Sequence, residues 1–227
     1  MAKGKGMLAL IGGGEWTEPC RALDERLLAA SGGREVVVLP TAAAFEHPER
    51  AVARAVEWFA ALGASARGLD LLTRRDAEDD DLVAQLRAAR FIYLADGSPL
   101  HLRSVLKDSA CFAAIVHAYE RGAVVAASGA AATLLCDPMV DPRGGAYTVG
   151  LGLVTGLAVF PYHGTTADHI RERSLDLLAP DLALVGLDDG AAILRVGSDA
   201  WTAVGDGVTV YRRGAPTRSP APGAPID

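Results

Sequence analysis

The chain has 227 residues, of which 50% are hydrophobic and 22% charged, and its formal net charge is -6 at pH 7. This length suits a single α/β domain with a substantial core. The negative charge and the lack of any Lys and Arg cluster argue against nucleic acid and membranes as partners. The apolar run Met7 to Ile11 is too short for a signal peptide or a membrane span, so we expect a cytoplasmic location.

Short apolar runs alternate with helical patterns along most of the chain, which is typical of crossover units around a largely parallel sheet. The predicted strands are Met7 to Ile11, Glu35 to Leu39, Phe91 to Ala95, Val124 to Ala127, Leu157 to Phe160 and Leu182 to Leu187. The predicted helices are Pro48 to Leu62, Asp79 to Arg90 and Ala110 to Arg121, each with apolar residues on one face.

The remaining segments have different patterns. Asp137 to Gly152 is rich in Pro and Gly and predicts an irregular hairpin or loop. Ala191 to Arg212 predicts short antiparallel strands added to a sheet edge. Residues 1–212 are therefore predicted to form one domain. Residues 213–227 include four prolines and no apolar pattern, which predicts a disordered tail.

The segment Val124 to Leu135 combines an apolar strand, a serine and a helix of small residues. A serine on a tight turn between strand and helix can act as a nucleophile, because its oxygen projects from the backbone next to a helix N-terminus. Ser128 lies at such a turn between the predicted strand and helix. The alternative is that Ser128 only caps the following helix, since serine is a favoured N-cap residue.

A serine nucleophile needs a base, an acid that orients the base, and donors for the oxyanion. His163 follows a predicted strand and is the candidate base, although a solvated loop histidine is an equal alternative. Asp188 and Asp189 end the last predicted parallel strand and are candidate acids, or else form an ordinary Asp-Asp-Gly turn. The candidate oxyanion donors are the backbone amides of Gly97 and Gly129.

Two other kinds of site are disfavoured by the sequence. Cys20, Cys111 and Cys136 are widely spaced and include no CxxC pair, so we expect no disulfide, no metal site and no cofactor held by cysteines. A dinucleotide site at the glycines 12–14 is disfavoured because the second strand does not end in a ribose-binding acid.

Several motifs in this order resemble the dipeptidase E and cyanophycinase family of serine peptidases, whose fold is related to class I glutamine amidotransferases. The resemblance extends from about Met7 to Arg212. It rests on Gly12-Gly13-Gly14-Glu15-Trp16, Ala95-Asp96-Gly97-Ser98, Ser128, Gly150-Leu151-Gly152-Leu153, His163 and Leu187-Asp188-Asp189-Gly190.

The resemblance implies an α/β three-layer sandwich with a mostly parallel, amidotransferase-like central sheet, antiparallel C-terminal additions and no cofactor. It assigns the nucleophile to Ser128, the base to His163 and the orienting acid to Asp189, with Asp188 as the alternative. The implied activity is hydrolysis of a small peptide substrate through an acyl-enzyme. The oligomeric state stays open between a monomer and a homodimer.

The chain departs from the family pattern at two places. The family turn reads Gly-x-Ser-Ala-Gly, whereas alignment of the two serines leaves Ala126 and Ala130 at the glycine positions. The family's Gly-Gly oxyanion loop is replaced by Asp96-Gly97, and an inward-pointing carboxylate would oppose an oxyanion. These departures support an alternative function, a catalytically inactive amidotransferase-like binding or regulatory protein.

Overall fold

The computed structural model describes residues 5–213, 215 and 217–226. Its main sheet has seven strands in the order β13-β12-β1-β5-β4-β2-β3. The first five strands in chain order run parallel to one another, and β12 and β13 extend the edge at β1 in antiparallel fashion. The bounds are β1 Met7–Ile11, β2 Glu35–Leu39, β3 Ser65–Gly68, β4 Phe91–Leu94, β5 Val124–Ser128, β12 Ala192–Val196 and β13 Thr202–Val204.

A second sheet has three strands in the order β10-β11-β14. Its strands are β10 Leu157–Phe160, β11 Ala183–Leu187 and β14 Val208–Arg212. The segment before it forms two small pairs, β6 with β9 and β7 with β8, and so includes the predicted irregular hairpin. Their bounds are β6 Cys136–Asp137, β7 Met139–Val140, β8 Tyr147–Thr148 and β9 Val154–Thr155.

Helices cover both faces of the main sheet. Two of them, α1 and α2, pack on one face, and α3, α4, α5 and α6 pack on the other face together with the second sheet. The bounds are α1 Arg21–Ser31, α2 Pro48–Ala61, α3 Asp80–Ala88, α4 Pro99–Leu106, α5 Ala110–Glu120, α6 Ala130–Leu134 and α7 Asp168–Asp176. Among the described residues, none of these helices combines the length and apolar character needed to cross a membrane.

The two faces of the main sheet belong to separate apolar clusters, as the alternation of side chains along a strand requires. On β5, Val125 and Ala127 belong to the larger cluster, which also contains Val159 and Val185 of the second sheet. Val124 and Ala126 of the same strand belong to the other cluster, beside α1 and α2. We call these the α3 face and the α1 face of the main sheet.

The structure confirms the predicted three-layer α/β architecture and the antiparallel additions. In the structure, however, β10 and β11 lie in the second sheet rather than in the main one. The second sheet also has a face directed away from the main sheet, which is covered by a third apolar cluster that includes Phe160 and Leu178.

The described part of the tail corrects the prediction of disorder for residues 213–227. Arg218 exchanges backbone hydrogen bonds with Val210 of β14, and the Ile226 amide donates to the Trp201 carbonyl. The Ile226 side chain is 4% exposed. The composition gave the wrong prediction because a proline does not prevent an isolated bridge, such as that of Pro225 with Thr202, where no regular ladder is needed.

Candidate functional site

The turn between β5 and α6 has the sharp geometry expected of a nucleophile elbow, but its strained residue is Gly129. Gly129 has φ 53° and ψ -117°, while Ser128 is the last residue of the strand. A positive φ of this kind suits glycine, because a Cβ would clash with the backbone. The elbow therefore exists one residue beyond the predicted nucleophile.

The Ser128 side chain lies inside the protein. It is 0% exposed, and its hydroxyl donates a 2.8 Å hydrogen bond to Glu15 Oε2. Alternation along β5 places Ser128 on the α1 face with Val124 and Ala126, because side chains two residues apart share a face. Ser128 is not a helix cap either, since Gly129 holds the N-cap position of α6 and no side chain caps it.

His163 lies after β10, in the part of the fold that packs on the α3 face. Its Nδ1 is 3.3 Å from Asp188 Oδ1 and its Nε2 is 2.8 Å from the Tyr211 hydroxyl. The ring covers Gly186, where an added Cβ would come within 2.4 Å of His163 Cδ2. Burial lowers the pKa of His163, and the Asp188 carboxylate opposes this effect only in part.

The predicted triad is therefore corrected in two respects. Ser128 and His163 lie toward opposite faces of the main sheet, and within the described chain no hydrogen bond joins them. The acid that contacts His163 is Asp188, the alternative, rather than Asp189.

Asp189 lies beside Gly13 and the Tyr162 ring, and no hydrogen bond joins it to the imidazole among the described residues. A Cβ on Gly13 would lie 2.4 Å from Asp189 Oδ1 and 2.8 Å from the Tyr162 ring, so glycine is required there. Burial, and then the neighbouring carboxylates of Asp96 and Asp188, raise the pKa of Asp189. Asp189 thus lies close enough to Asp96, the acid next to the elbow, for their charges to interact.

The family motif fits the structure when it is moved by one residue. Gly-x-Ser-Ala-Gly then corresponds to Ala127-Ser128-Gly129-Ala130-Ala131, and Gly129 stands where the family has its serine. The alternation of β5 could have revealed this register, because it directs Ser128 to the same face as Val124 and Ala126.

The predicted oxyanion donors are also partly corrected. The Gly129 amide donates to the Ile11 carbonyl at 2.9 Å, as part of the sheet, and is not free to bind a substrate. The Gly97 amide does point into the site, together with the amide of Ala130. Both donate to Asp96 Oδ1, at 2.7 Å and 2.8 Å respectively.

Gly97 is held at this position by its own backbone. It has φ 147°, and a Cβ would lie 2.4 Å from the Ala42 carbonyl oxygen, which leaves room for glycine alone. The following Ser98 amide donates to the same carbonyl at 2.8 Å, and the Ser98 hydroxyl caps α4. The loop is therefore attached both to the segment that follows β2 and to α4.

Glu15 is a site residue that the sequence analysis did not single out. Its side chain is buried, accepts from Ser128, and accepts from the Asp96 amide at 3.3 Å. Burial, and then the charge of Asp96, raise the pKa of Glu15. Its place directly after the glycines 12–14 at the end of β1 was the available signal.

A cavity of about 360 Å³ opens beside Glu15 and Asp96. It lies between the ends of the parallel strands and α2, where ligands of open α/β sheets bind. Its lining carries both signs of charge: Gly14, Glu15, Ala43, Glu46, His47, Arg50, Ala51, Arg54, Asp96 and Gly97. The Arg54 guanidinium donates to the Glu15 carbonyl at 3.2 Å, which fixes one cation at the wall.

Comparison with known proteins now decides the family. The profile of peptidase family S51 matches residues 8–202. The chain belongs to peptidase family S51. This confirms the predicted resemblance and places the chain among the peptidases, a class of hydrolases.

Two relatives in family S51 show how far their sequences differ from that of this chain. Peptidase E of Citrobacter koseri is 27% identical over 171 residues, which cover 70% of this chain and 72% of that protein. Cyanophycinase of Synechococcus elongatus is 26% identical over 200 residues, which cover 82% of this chain and 61% of that protein.

Solved structures agree with this S51 assignment. A peptidase from an acI-B1 Actinobacterium superimposes with a TM-score of 0.87 at 25% identity, covering 100% of this chain and 98% of the other. A protein described as a putative Peptidase E from Listeria monocytogenes EGD-e has a TM-score of 0.68 at 18% identity, over 92% of this chain and 98% of that chain, which supports the fold alone.

Proposed function

We propose that this member of family S51 recognises short peptides in the cavity beside Glu15 and Asp96, and that it does so without an acyl-enzyme at Ser128. The observation that carries the proposal is the elbow itself. Gly129 occupies its strained position, and Ser128 is buried against Glu15 on the opposite face from His163. A nucleophile needs both an accessible oxygen and a base within hydrogen-bond reach.

The lining of the cavity supports a small ligand that carries both charges. Arg50 and Arg54 come from α2, and Glu46 precedes that helix. A short peptide has a free amine and a free carboxylate, so it can pair with both groups at once. The family relatives named Peptidase E and Cyanophycinase support peptides as the ligand class.

Treatment with a fluorophosphonate followed by intact-mass measurement tests the part of the proposal that concerns Ser128. We expect no adduct in the wild-type protein. An adduct that disappears in Ser128→Ala would overturn the proposal, because it would show that the serine is reachable and activated.

Thermal stabilisation by a dipeptide library, together with detection of released amines, tests peptide recognition. Stabilisation by free dipeptides, weakened by Arg50→Ala but not by Arg87→Ala on α3, is the expected result, since Arg87 is an exposed arginine outside the cavity. Release of amines that persists in Ser128→Ala also supports the proposal. A library without any stabilising or cleaved member contradicts it.

A further inference from the structure

The carboxylate of Asp96 is turned toward the elbow, and one of its oxygens accepts three hydrogen bonds. Its Oδ1 accepts from the Gly97 amide at 2.7 Å, from the Ala130 amide at 2.8 Å and from the Tyr162 hydroxyl. The two amides come from different elements, the loop after β4 and the first turn of α6. They converge on a single oxygen atom.

This convergence has the geometry of an oxyanion hole. Such a hole consists of backbone amides that lie 2.7–3.1 Å from one oxygen, and one of them belongs to the residue after the nucleophile position. With Gly129 at the elbow, that residue is Ala130. The second amide, from Gly97, is the donor that the sequence already indicated.

The oxygen bound there belongs to the protein. A Cβ on Gly129 would lie 2.3 Å from Asp96 Oδ1 and 2.3 Å from the Tyr162 hydroxyl. The carboxylate and the phenol therefore fill the space next to the elbow as well as the hole. A substrate carbonyl has no access to the two amides while Asp96 stays in this position.

We propose that the amides of Gly97 and Ala130, with the Tyr162 hydroxyl, form an anion-binding hole that the chain keeps filled with its own Asp96 carboxylate. The inference rests on the proposed function, because it takes Gly129 as the elbow residue. Removal of the Asp96 side chain takes away the acceptor that these three donors share and leaves the Ala130 amide only its 3.2 Å contact with the Tyr162 hydroxyl oxygen. It thereby opens the hole to a small carboxylate of the size of formate or acetate.

Tyr162 is held in place for this contact by its backbone. It has φ 54°, which is strained for a residue with a side chain, and its amide donates to the Gly12 carbonyl at 2.9 Å. The phenol therefore reaches the hole from a fixed position at the end of β1. Burial, and then the Asp96 charge, raise the pKa of Tyr162, so the phenol keeps its proton and remains a donor.

The test compares wild type, Asp96→Gly and Asp96→Asn by thermal unfolding in sodium formate, with sodium chloride at equal ionic strength as the control. We expect formate to raise the unfolding temperature of Asp96→Gly by several degrees more than chloride does. The unfolding temperatures of wild type and of Asp96→Asn should be the same in the two salts, because a carboxylate or amide oxygen still fills the hole. An equal response of all three proteins would overturn the proposal.

A crystal structure of the wild-type chain grown in formate provides a second measurement that needs no variant to fold. Asp96 Oδ1 within hydrogen-bond distance of both amides is the expected result. Formate or water on those amides, with Asp96 turned away, would overturn it. Neither outcome depends on Ser128 labelling or on peptide binding, so failure here is distinct from failure of the proposed function.

Discussion

The Ser128 hydroxyl donates a 2.8 Å hydrogen bond to Glu15 Oε2 inside the α1 face of the main sheet. Replacement by alanine removes the donor and leaves a buried carboxyl oxygen unsatisfied. We expect Ser128→Ala to lower the free energy of unfolding by about 1–3 kcal/mol. Urea unfolding measures this change.

The same variant separates a structural serine from a catalytic one. Peptide binding and any amine release should stay near wild-type values in Ser128→Ala. Ser104→Ala is a suitable control for stability, because Ser104 donates to the His101 carbonyl at an exposed site. This variant should lower the free energy of unfolding by less than Ser128→Ala does. Loss of all turnover with unchanged stability would contradict the structural role.

His163 is predicted to be neutral at pH 7, because burial lowers its pKa below the ordinary value. Asp188 is the group that favours the charged ring. Asp188→Asn should therefore lower the pKa of His163 further, and NMR titration of the ring protons measures the shift. Asp189→Asn is the matched control, since Asp189 does not contact the ring. A larger effect of Asp189→Asn would restore Asp189 as the orienting acid.

Asp24 makes stability depend on pH. Its Oδ2 accepts from Trp58 Nε1 at 2.8 Å, and its Oδ1 has no hydrogen-bond partner among the described residues. Burial raises its pKa from 3.8 to about 7. Because folding raises this pKa, the stabilising contribution of protonated Asp24 is fully present below about pH 4 and is lost as the pH rises toward 7.

The expected size of this loss is a few kcal/mol, since one unit of pKa corresponds to about 1.4 kcal/mol. Asp24→Asn keeps an acceptor for Trp58 and cannot ionise. The difference in unfolding free energy between Asp24→Asn and wild type should therefore grow in favour of the variant between about pH 4 and pH 7. A difference that is constant over this range would show that Asp24 does not titrate there.

The tail contributes to stability through Ile226, whose side chain is 4% exposed beside Trp201. Ile226→Ala should lower the free energy of unfolding by about 2 kcal/mol or more, as is typical of buried isoleucines. Ala221→Ser changes an exposed residue of the same segment and should be neutral. Equal stability of the two variants would mean that the tail is detached in solution.

Much of the main sheet could be predicted from the sequence, because buried parallel strands are continuous apolar runs. β1, β2 and β10 have the predicted bounds. β3 was missed because Ser65–Gly68 is short and half-exposed at the sheet edge. The division into two sheets was also missed, since a parallel pair such as β10 and β11 looks the same in either sheet.

The site was harder to predict because a shift of one residue in the alignment of the family motif changes which residue is placed at the elbow. Ser128 and Gly129 are neighbours in sequence, yet the Ser128 side chain points into the α1 face, whereas Gly129 forms the elbow. Gly97 was predicted as a donor, and its amide does point into the site. Asp96 was recognised as unusual, but only its three-dimensional contacts show that it holds two amides at once.

The glycine at position 129 also limits the mutational paths open to this chain. A Gly129→Ser change would introduce a side chain whose first atom meets Asp96 Oδ1 and the Tyr162 hydroxyl, both 2.3 Å away. A side chain at the elbow therefore requires that both the Asp96 carboxylate and the Tyr162 phenol move away or be replaced by smaller groups. The residue tolerated at position 129 is therefore coupled to the side chains at positions 96 and 162, so these three positions are expected to change together.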